Sequence, residues 1–96
     1  MVPLKSQEYL YQTNIPAFFE DHNSFSRLFH QYYEPLNRFA LTLVDSPETA
    51  EEVVSDVFIK MWKNRSTFSI RTSLHAYLFT AVRHQAIDYL RKATRR

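Results

Sequence analysis

The stretch AEEVVSDVFIKMWKNR, residues 50–65, opens with paired acids, closes with bases and repeats its apolar residues at helical spacing. On a helical wheel most of these apolar residues fall on one side, which predicts a face buried in a core. The members of this face are Ala50, Val53, Val54, Val57, Phe58 and Met61, with Trp62 at its border. Ile59 falls on the opposite side, where its neighbours are Glu52, Ser55, Asp56 and Lys63. The stretch therefore predicts a helix with a core face and a polar outer face that has one isoleucine at its centre.

The residues around this stretch indicate where the helix begins and how its charges are arranged. Ser46 can accept a hydrogen bond at the N-cap, and Pro47 suits the first helical position. Glu48 lies at the positive end of the helix dipole, whereas Lys60 and Lys63 lie near the negative end. Because both placements stabilise a helix, we expect it to start in the segment VDSPET, residues 44–49.

A second helical pattern precedes this one, with apolar residues that recur in steps of three and one. It comprises Phe25, Leu28, Phe29, Tyr32, Tyr33, Leu36, Phe39, Ala40, Leu43 and Val44. Either Asn23 or Ser24 can cap the start of this helix. Pro35 lies inside the pattern, where the loss of one backbone hydrogen bond predicts a kink and not an end.

A third helical pattern starts near Ser73, after the hydroxyl-rich segment RSTFSIRTS, residues 65–73. Its core stripe contains Leu78, Phe79, Val82, Ala86, Tyr89 and Leu90, and its other side contains Thr80, Arg83, His84, Ile87 and Arg91. We therefore predict an all-α fold, a compact bundle of three main helices plus N-terminal helical turns. An N-terminal extension is expected over residues 1–22 and one domain over residues 23–96. The core is expected to contain Leu28, Phe29, Val57, Phe58, Met61, Leu78 and Val82.

The composition excludes several classes of protein. The chain of 96 residues has no glycine, which excludes phosphate-binding loops of the GxGxxG and Walker types. It has no cysteine, which excludes disulfides, thiolate catalysis and cysteine-based metal sites. The sequence has no signal-peptide pattern and no apolar run of membrane-spanning length. We therefore expect a cytoplasmic protein with no membrane insertion.

The charge is divided along the chain. Residues 1–59 contain three bases and nine acids, whereas residues 60–96 contain nine bases and one acid. A basic region of this kind indicates a polyanionic partner, either nucleic acid or an anionic surface. This region mixes aromatic and basic residues, namely Phe68, Arg71, Tyr77, Arg83, His84 and Arg91. Such a mixture is typical of single-strand binding, in which rings stack on bases and cations follow phosphates. Alternatively, Phe68 and Tyr77 simply fill the gap between two helices.

Three segments of the chain, in this order, resemble region 2 of bacterial sigma factors of the extracytoplasmic-function (ECF) group. They are SFSRLFHQYYEPLNRFA, AEEVVSDVFIKMW and SLHAYLFTAVRHQAIDYLRK, and together they cover about residues 24–92. The segment AEEVVSDVF is similar to the A-E-D-L-V-Q-E-V-F of that family. The segment YLFTAVRHQAIDYLR is similar to its W-L-Y-R-I-A-R-N-x-A-x-D-x-L-R. Ser55 stands where the family often has glutamine, and His84 stands where asparagine is frequent.

This resemblance implies a transcription initiation factor with no enzymatic activity and no cofactor. The second helix would bind the coiled-coil clamp helices of the largest RNA polymerase subunit through Glu52, Ser55, Asp56 and Ile59. The loop and the third helix would melt the minus-ten element of promoter DNA and capture a flipped base of the non-template strand. The residues expected to bind DNA are Lys63, Arg65, Phe68, Ser69, Ile70, Arg71, Thr72, Tyr77, Thr80, Arg83, His84 and Arg91. The resemblance also implies an anti-sigma factor as a further partner. It further implies a C-terminal domain for the minus-thirty-five element, which we expect to be absent from this chain.

Two other functions are open from the residues alone. A helical protein-interaction bundle without DNA binding would need only the surface around Ile59, and it would leave the basic half of the chain unexplained. An enzyme or a metal site could use His84 and Asp88, which lie one helical turn apart, but no third partner occurs at a recognisable spacing. A histidine with an acid at this spacing is more often a surface pair, so we expect neither catalysis nor a metal.

Overall fold

The computed structural model describes residues 22–65 and 72–95, which form three α-helices. Helix α1 spans His22–Leu41, α2 spans Pro47–Lys63 and α3 spans Leu74–Arg95. Each helix packs against the other two, and the described residues contain no strand. The predicted all-α bundle of three main helices is therefore confirmed. None of these three helices combines the length and the apolar character needed to cross a membrane.

The N-terminal helical turns and the extension predicted over residues 1–22 lie outside the described residues, apart from His22. That residue belongs to α1. The loop between α2 and α3 is described only at its two ends, since residues 66–71 also lie outside the described residues.

One hydrophobic core lies between the three helices. Its buried residues, each at most 7% exposed, are Leu28, Leu36, Ala40, Val44, Ala50, Val53, Val54, Val57, Phe58, Met61, Leu74, Leu78, Val82 and Ala86. The whole apolar face predicted for α2 is in this list, with Trp62 partly buried at its border. The helical wheel therefore assigned every apolar position of α2 to the correct side.

Several residues predicted in the core are less buried than expected, including Phe79 and Tyr89 of α3, which are only partly buried. Phe29 is only partly buried because it lies at the edge between α1 and α2, where its ring packs on Phe58 with the ring centroids 5.0 Å apart. Leu90, predicted in the core stripe of α3, is 40% exposed. The ring of Phe79 in α3 contacts that of Phe39, which lies two residues before the end of α1. Leu90 lies about 16 Å further along α3, past the end of α1, so no α1 side chain covers it.

The predicted start of α2 is confirmed. The hydroxyl oxygen of Ser46 accepts a hydrogen bond from the backbone N–H of Thr49 at 3.1 Å, and Pro47 is the first helical residue. Ser73 caps α3 in the same way, because its hydroxyl oxygen accepts from the backbone N–H of Ala76 at 3.0 Å. Both serines satisfy a backbone donor that the first helical turn leaves without a partner in the helix.

Helix α1 differs from the prediction at both ends. It already includes Asn23 and Ser24, so the expectation that one of them is the N-cap is wrong. The apolar pattern continues to Val44, but the helix ends at Leu41. Val44 still reaches the core, since it is 7% exposed, but it does so from the turn that leads into α2. Pro35 lies inside α1, which continues past it as predicted.

Candidate functional site

The outer face of α2 carries the four residues that the family resemblance assigns to polymerase binding. Ile59 is 50% exposed, Glu52 is exposed, and Ser55 and Asp56 are partly buried. The prediction that Ile59 lies on the solvent side of α2 is thus confirmed. A half-exposed isoleucine among polar groups has the composition of a small protein-interaction surface, with an apolar centre and a polar rim. We call these four residues the α2 outer patch.

An apolar groove between α1 and α2 borders this patch. The groove has a volume of about 420 Å³ and is lined by His22, Phe25, Phe29, Ser55, Phe58, Ile59, Trp62 and Lys63. Phe25 and Trp62 lie against each other in its wall, with ring centroids 5.0 Å apart. Ile59 and Ser55 belong both to the groove and to the α2 outer patch. The apolar surface around Ile59 is therefore larger than one side chain, because it continues into the groove.

Two of the predicted DNA-binding residues, Lys63 and Arg65, lie at the C-terminal end of α2. Lys63 lines the α1–α2 groove together with Ile59. The guanidinium carbon of Arg65 lies 3.8 Å from the centre of the Trp62 ring, and Nη1 donates to the Trp62 carbonyl oxygen at 2.8 Å. This cation–π contact and hydrogen bond hold Arg65 against α2. The structure thus places both cations at the C-terminal end of α2.

A second groove, between α2 and α3, brings together three of the predicted DNA-binding residues, Tyr77, Thr80 and His84. It also has a volume of about 420 Å³, and its other lining residues are Val57, Lys60, Ala81, Gln85 and Asp88. The Nζ of Lys60 donates a hydrogen bond to Oε1 of Gln85 at 2.8 Å and so joins the two helices across the groove. Lys60 and Gln85 are absent from the predicted site, because 25 residues separate them and no local pattern connects them. The basic charge of Lys60 is the one sequence signal that favours it.

Tyr77 has a mixed environment at the edge of this groove. It is partly buried, and its ring packs against the hydrophobic core. Burial raises the pKa of the Tyr77 phenol above its ordinary value of 10.0, because the phenolate would lose its hydration. The phenol therefore keeps its proton to a higher pH than an exposed tyrosine does. Tyr77 thus fills the gap between helices, as one interpretation expected, and also lines the groove.

The other described residues of the predicted DNA surface lie on or just before α3. Those that are exposed are Thr72, Thr80, Arg83, His84 and Arg91. His84 and Arg91 border a smaller hollow of about 320 Å³ with Ile87 and Asp88. The exposed face of α3 is therefore basic, with an apolar isoleucine among its charges. Four more predicted residues, Phe68, Ser69, Ile70 and Arg71, lie outside the described residues.

His84 and Asp88, the pair considered for catalysis or metal binding, both line the α2–α3 groove. The Oδ2 of Asp88 forms an exposed ion pair with Nζ of Lys92 at 3.2 Å. Within residues 22–65 and 72–95, no group of three or more histidine, aspartate or glutamate side chains is placed to hold a metal ion. Among the described residues, no third histidine or acidic side chain therefore joins His84 and Asp88 to form a metal site.

The helices and their two grooves define a small all-helical domain with an acidic outer patch on one helix and a basic exposed face on the next. The chain belongs to the sigma-70 region 2 family, which matches residues 28–96. The predicted resemblance to region 2 of an ECF sigma factor is therefore confirmed.

Curated relatives of the chain are sigma factors. The chain is similar to the ECF RNA polymerase sigma factor SigX of Bacillus subtilis, with 30% identity over 69 residues, 72% of this chain and 36% of SigX. It is also similar to the RNA polymerase sigma factor YlaC of the same organism, with 26% identity over 70 residues, 73% of this chain and 40% of YlaC. A probable RNA polymerase sigma factor of Haemophilus influenzae is 30% identical over 57 residues, 59% of this chain and 29% of that protein. The chain thus spans less than half the length of each of these relatives. No solved structure matches it significantly.

Proposed function

We propose that this chain acts in transcription initiation, as the part of a sigma factor that binds RNA polymerase and opens promoter DNA at the minus-ten element. The family match and the names of the relatives support the general role. The observation that carries the finer proposal is the convergence of Tyr77, Thr80 and His84 with Lys60 on one groove, beside the exposed basic face of α3. The domain thus offers two contact surfaces, the outer face of α2 and the α2–α3 groove. They adjoin each other, because Glu52 and Asp56 share a small hollow with Gln85 and Asp88 of the groove.

The α2 outer patch is the surface proposed to bind the clamp helices of the largest polymerase subunit. Covering the exposed half of Ile59 is worth about 1 kcal/mol, and the adjoining apolar groove adds area to the same contact. Glu52 and Asp56 supply carboxylates that attract basic side chains on the partner and set the orientation of docking. Because the patch lies on one helix whose other face is fully packed, it keeps its shape when the partner binds.

The α2–α3 groove is the surface proposed to receive one unpaired base of the non-template strand. The hydroxyl groups of Tyr77 and Thr80 and the imidazole of His84 can form hydrogen bonds with the edges of a base, while Lys60 supplies charge for a neighbouring phosphate. The groove volume of about 420 Å³ lies within the range of about 300–1,000 Å³ typical of small-ligand sites. The family resemblance assigns residues 68–72 to the same base-binding function, and Thr72 is the member of this range that the structure describes.

Base capture is expected to follow docking on the polymerase. Unstacking a base costs a few kcal/mol, and an open groove can offset this cost only when the polymerase holds the rest of the DNA. The chain alone should therefore bind DNA weakly, and should bind single strands better than duplex. Its affinity should fall steeply with salt, because Arg83 and Arg91 release counterions from the phosphates. A protein-interaction bundle, the alternative function, would show no such salt-dependent binding.

Capture of purified RNA polymerase core by the immobilised full chain tests the polymerase contact. Ile59→Glu should strongly weaken this capture, because it places a charge at the apolar centre of the α2 outer patch. Ile87→Glu is the matched control, since Ile87 is also an exposed isoleucine, 40% exposed, but lies on α3. Ile87→Glu should capture the polymerase like the wild type in the absence of DNA. Equal capture by both variants, with unchanged helicity, would show that the α2 outer patch does not bind the polymerase.

A further inference from the structure

Four aromatic residues form a connected cluster on the side of α3 that faces α1, outside the two grooves described above. His75 stacks on Phe79 with the ring centroids 4.5 Å apart and the planes inclined by 29°. Phe79 contacts Phe39 at 5.2 Å, and His75 lies 6.0 Å from Tyr32. We call these four residues the aromatic cluster. It links the first turns of α3 to the second half of α1.

Packing of the core explains three members of the aromatic cluster but not the fourth. Tyr32, Phe39 and Phe79 are partly buried and pack against the hydrophobic core. His75 is exposed and is not among the residues that pack against the core. Its ring nevertheless lies against Phe79, which supports it from one side. A supported aromatic ring at the surface is the arrangement on which an unpaired base stacks.

The charge around α3 favours a single strand as the occupant of this surface. Arg83 is exposed and lies one helical turn after Phe79. On a helical wheel of α3, His75 and Phe79 form one stripe. Thr80 and His84, which border the α2–α3 groove, form another stripe. Arg83 falls between these two stripes. A strand that crosses α3 from the groove to the aromatic cluster therefore passes over a guanidinium group. A helix is about 10 Å wide, so a single strand a few nucleotides long can reach from the groove to the aromatic cluster.

We propose that the aromatic cluster, with His75 outermost, is a second stacking site for an unpaired DNA base, on the same strand as the base in the α2–α3 groove. This inference rests on the proposed function, because the groove and Arg83 bring the strand to α3. Closed duplex does not fit this surface, since its bases are already stacked on each other. The site is tolerant of sequence, because every base has a face that can stack on a ring.

The test measures binding of the full chain to a single-stranded thymidine oligomer that carries one 2-aminopurine base. Fluorescence of this base is quenched when it stacks on a ring, and its position is moved along the oligomer one nucleotide at a time. His75→Ala should weaken binding by about 5- to 150-fold and abolish the quenching that depends on this site. His75→Trp keeps an aromatic ring and should bind at least as well as the wild type. His75→Gln, which has a similar size but no ring, should lose affinity like the alanine variant, and it replaces that variant if alanine lowers helicity.

The chain offers a matched control in His30, an exposed histidine of α1 whose ring lies 5.7 Å from that of Phe29. His30→Ala should bind the oligomer like the wild type. Arg83→Ala and His84→Ala separate the two proposals. If the Arg83 and His84 variants weaken binding while His75→Ala and His75→Gln do not, the aromatic cluster is not a stacking site. That result would still support DNA binding by the α2–α3 groove and the basic face of α3. If none of these variants changes the affinity, the proposed DNA binding by α3 is itself wrong.

Discussion

Phe58→Ala is expected to remove a large part of the stability of this domain. The Phe58 ring is 3% exposed and packs edge-on against Phe29 at 5.0 Å and Phe25 at 6.1 Å. Truncation of a buried phenylalanine costs about 3 to 5 kcal/mol, and the loss of two ring contacts places this case at the upper end. A domain of this size has a total stability of about 5 to 14 kcal/mol. Since each kcal/mol lowers the Tm by about 4 to 8 °C in a domain of 60–100 residues, we expect a fall of at least about 12 °C.

Thermal unfolding followed by far-ultraviolet circular dichroism measures the change in Tm, and urea unfolding measures the change in the free energy of unfolding. The neighbouring residue supplies the control, because Ile59 lies on the same helix and is 50% exposed. Ile59→Ala should cost less than about 1 kcal/mol, since half of the isoleucine surface is already in water. A Phe58→Ala variant with a Tm near that of the wild type, or an Ile59→Ala variant that is equally unstable, would mean that the helices are packed differently.

Two further predictions concern stability. Tyr77→Phe should reduce the loss of stability at alkaline pH. The folded protein holds the phenolic proton of Tyr77 more tightly than the unfolded chain does. The stability that Tyr77 contributes in this way is therefore present below the ordinary pKa of 10.0 and is lost as the pH rises through the pKa of the folded state. Urea unfolding of both proteins between neutral and alkaline pH checks this, and identical pH profiles would show that burial of the phenol does not contribute. Ser46→Ala should cost about 1 kcal/mol, because the N–H of Thr49 loses its acceptor at the start of α2. The same measurement with Ser46→Asp should show near-wild-type stability, and an equal loss with aspartate would refute the capping role.

The helical wheel predicted α2 well because spacing alone determines which side of a helix a residue occupies. Ile59 and the buried face of α2 follow from that rule without knowledge of any neighbour. Leu90 follows the same spacing but is exposed, because burial also depends on where α1 ends, and the α3 sequence does not contain that information.

The candidate site was predictable only in part, for a related reason. Tyr77, Thr80 and His84 belong to one helix, and the family motif selects them together. Lys60 and Gln85 meet only when α2 packs on α3, so no pattern within either segment predicts their hydrogen bond. Asn23 and Ser24 both suit an N-cap by residue type, yet both lie inside α1, so capping preference alone does not locate a helix start.

We propose that this domain binds the polymerase with one surface and holds an unpaired base with another. Opening of promoter DNA is the most direct test of this proposal. The promoters are first selected from a pool of random duplexes by binding to the complex of polymerase core and this chain. Reactivity of unpaired thymines towards permanganate reports opening, and the same promoter with an already melted bubble is the control. The variants are Phe68→Ala, in the predicted base-binding loop, and Ile59→Glu, in the α2 outer patch.

Phe68→Ala should lower opening of the duplex promoter without a change in polymerase affinity, and the melted bubble should restore much of the permanganate reactivity. Ile59→Glu should instead lower polymerase affinity, and a higher polymerase concentration should restore opening. If Phe68→Ala opened the duplex promoter normally, the predicted role of Phe68 in base capture would be wrong. If Phe68→Ala and Ile59→Glu showed the same losses and the same rescue, polymerase binding and base capture would not use different surfaces.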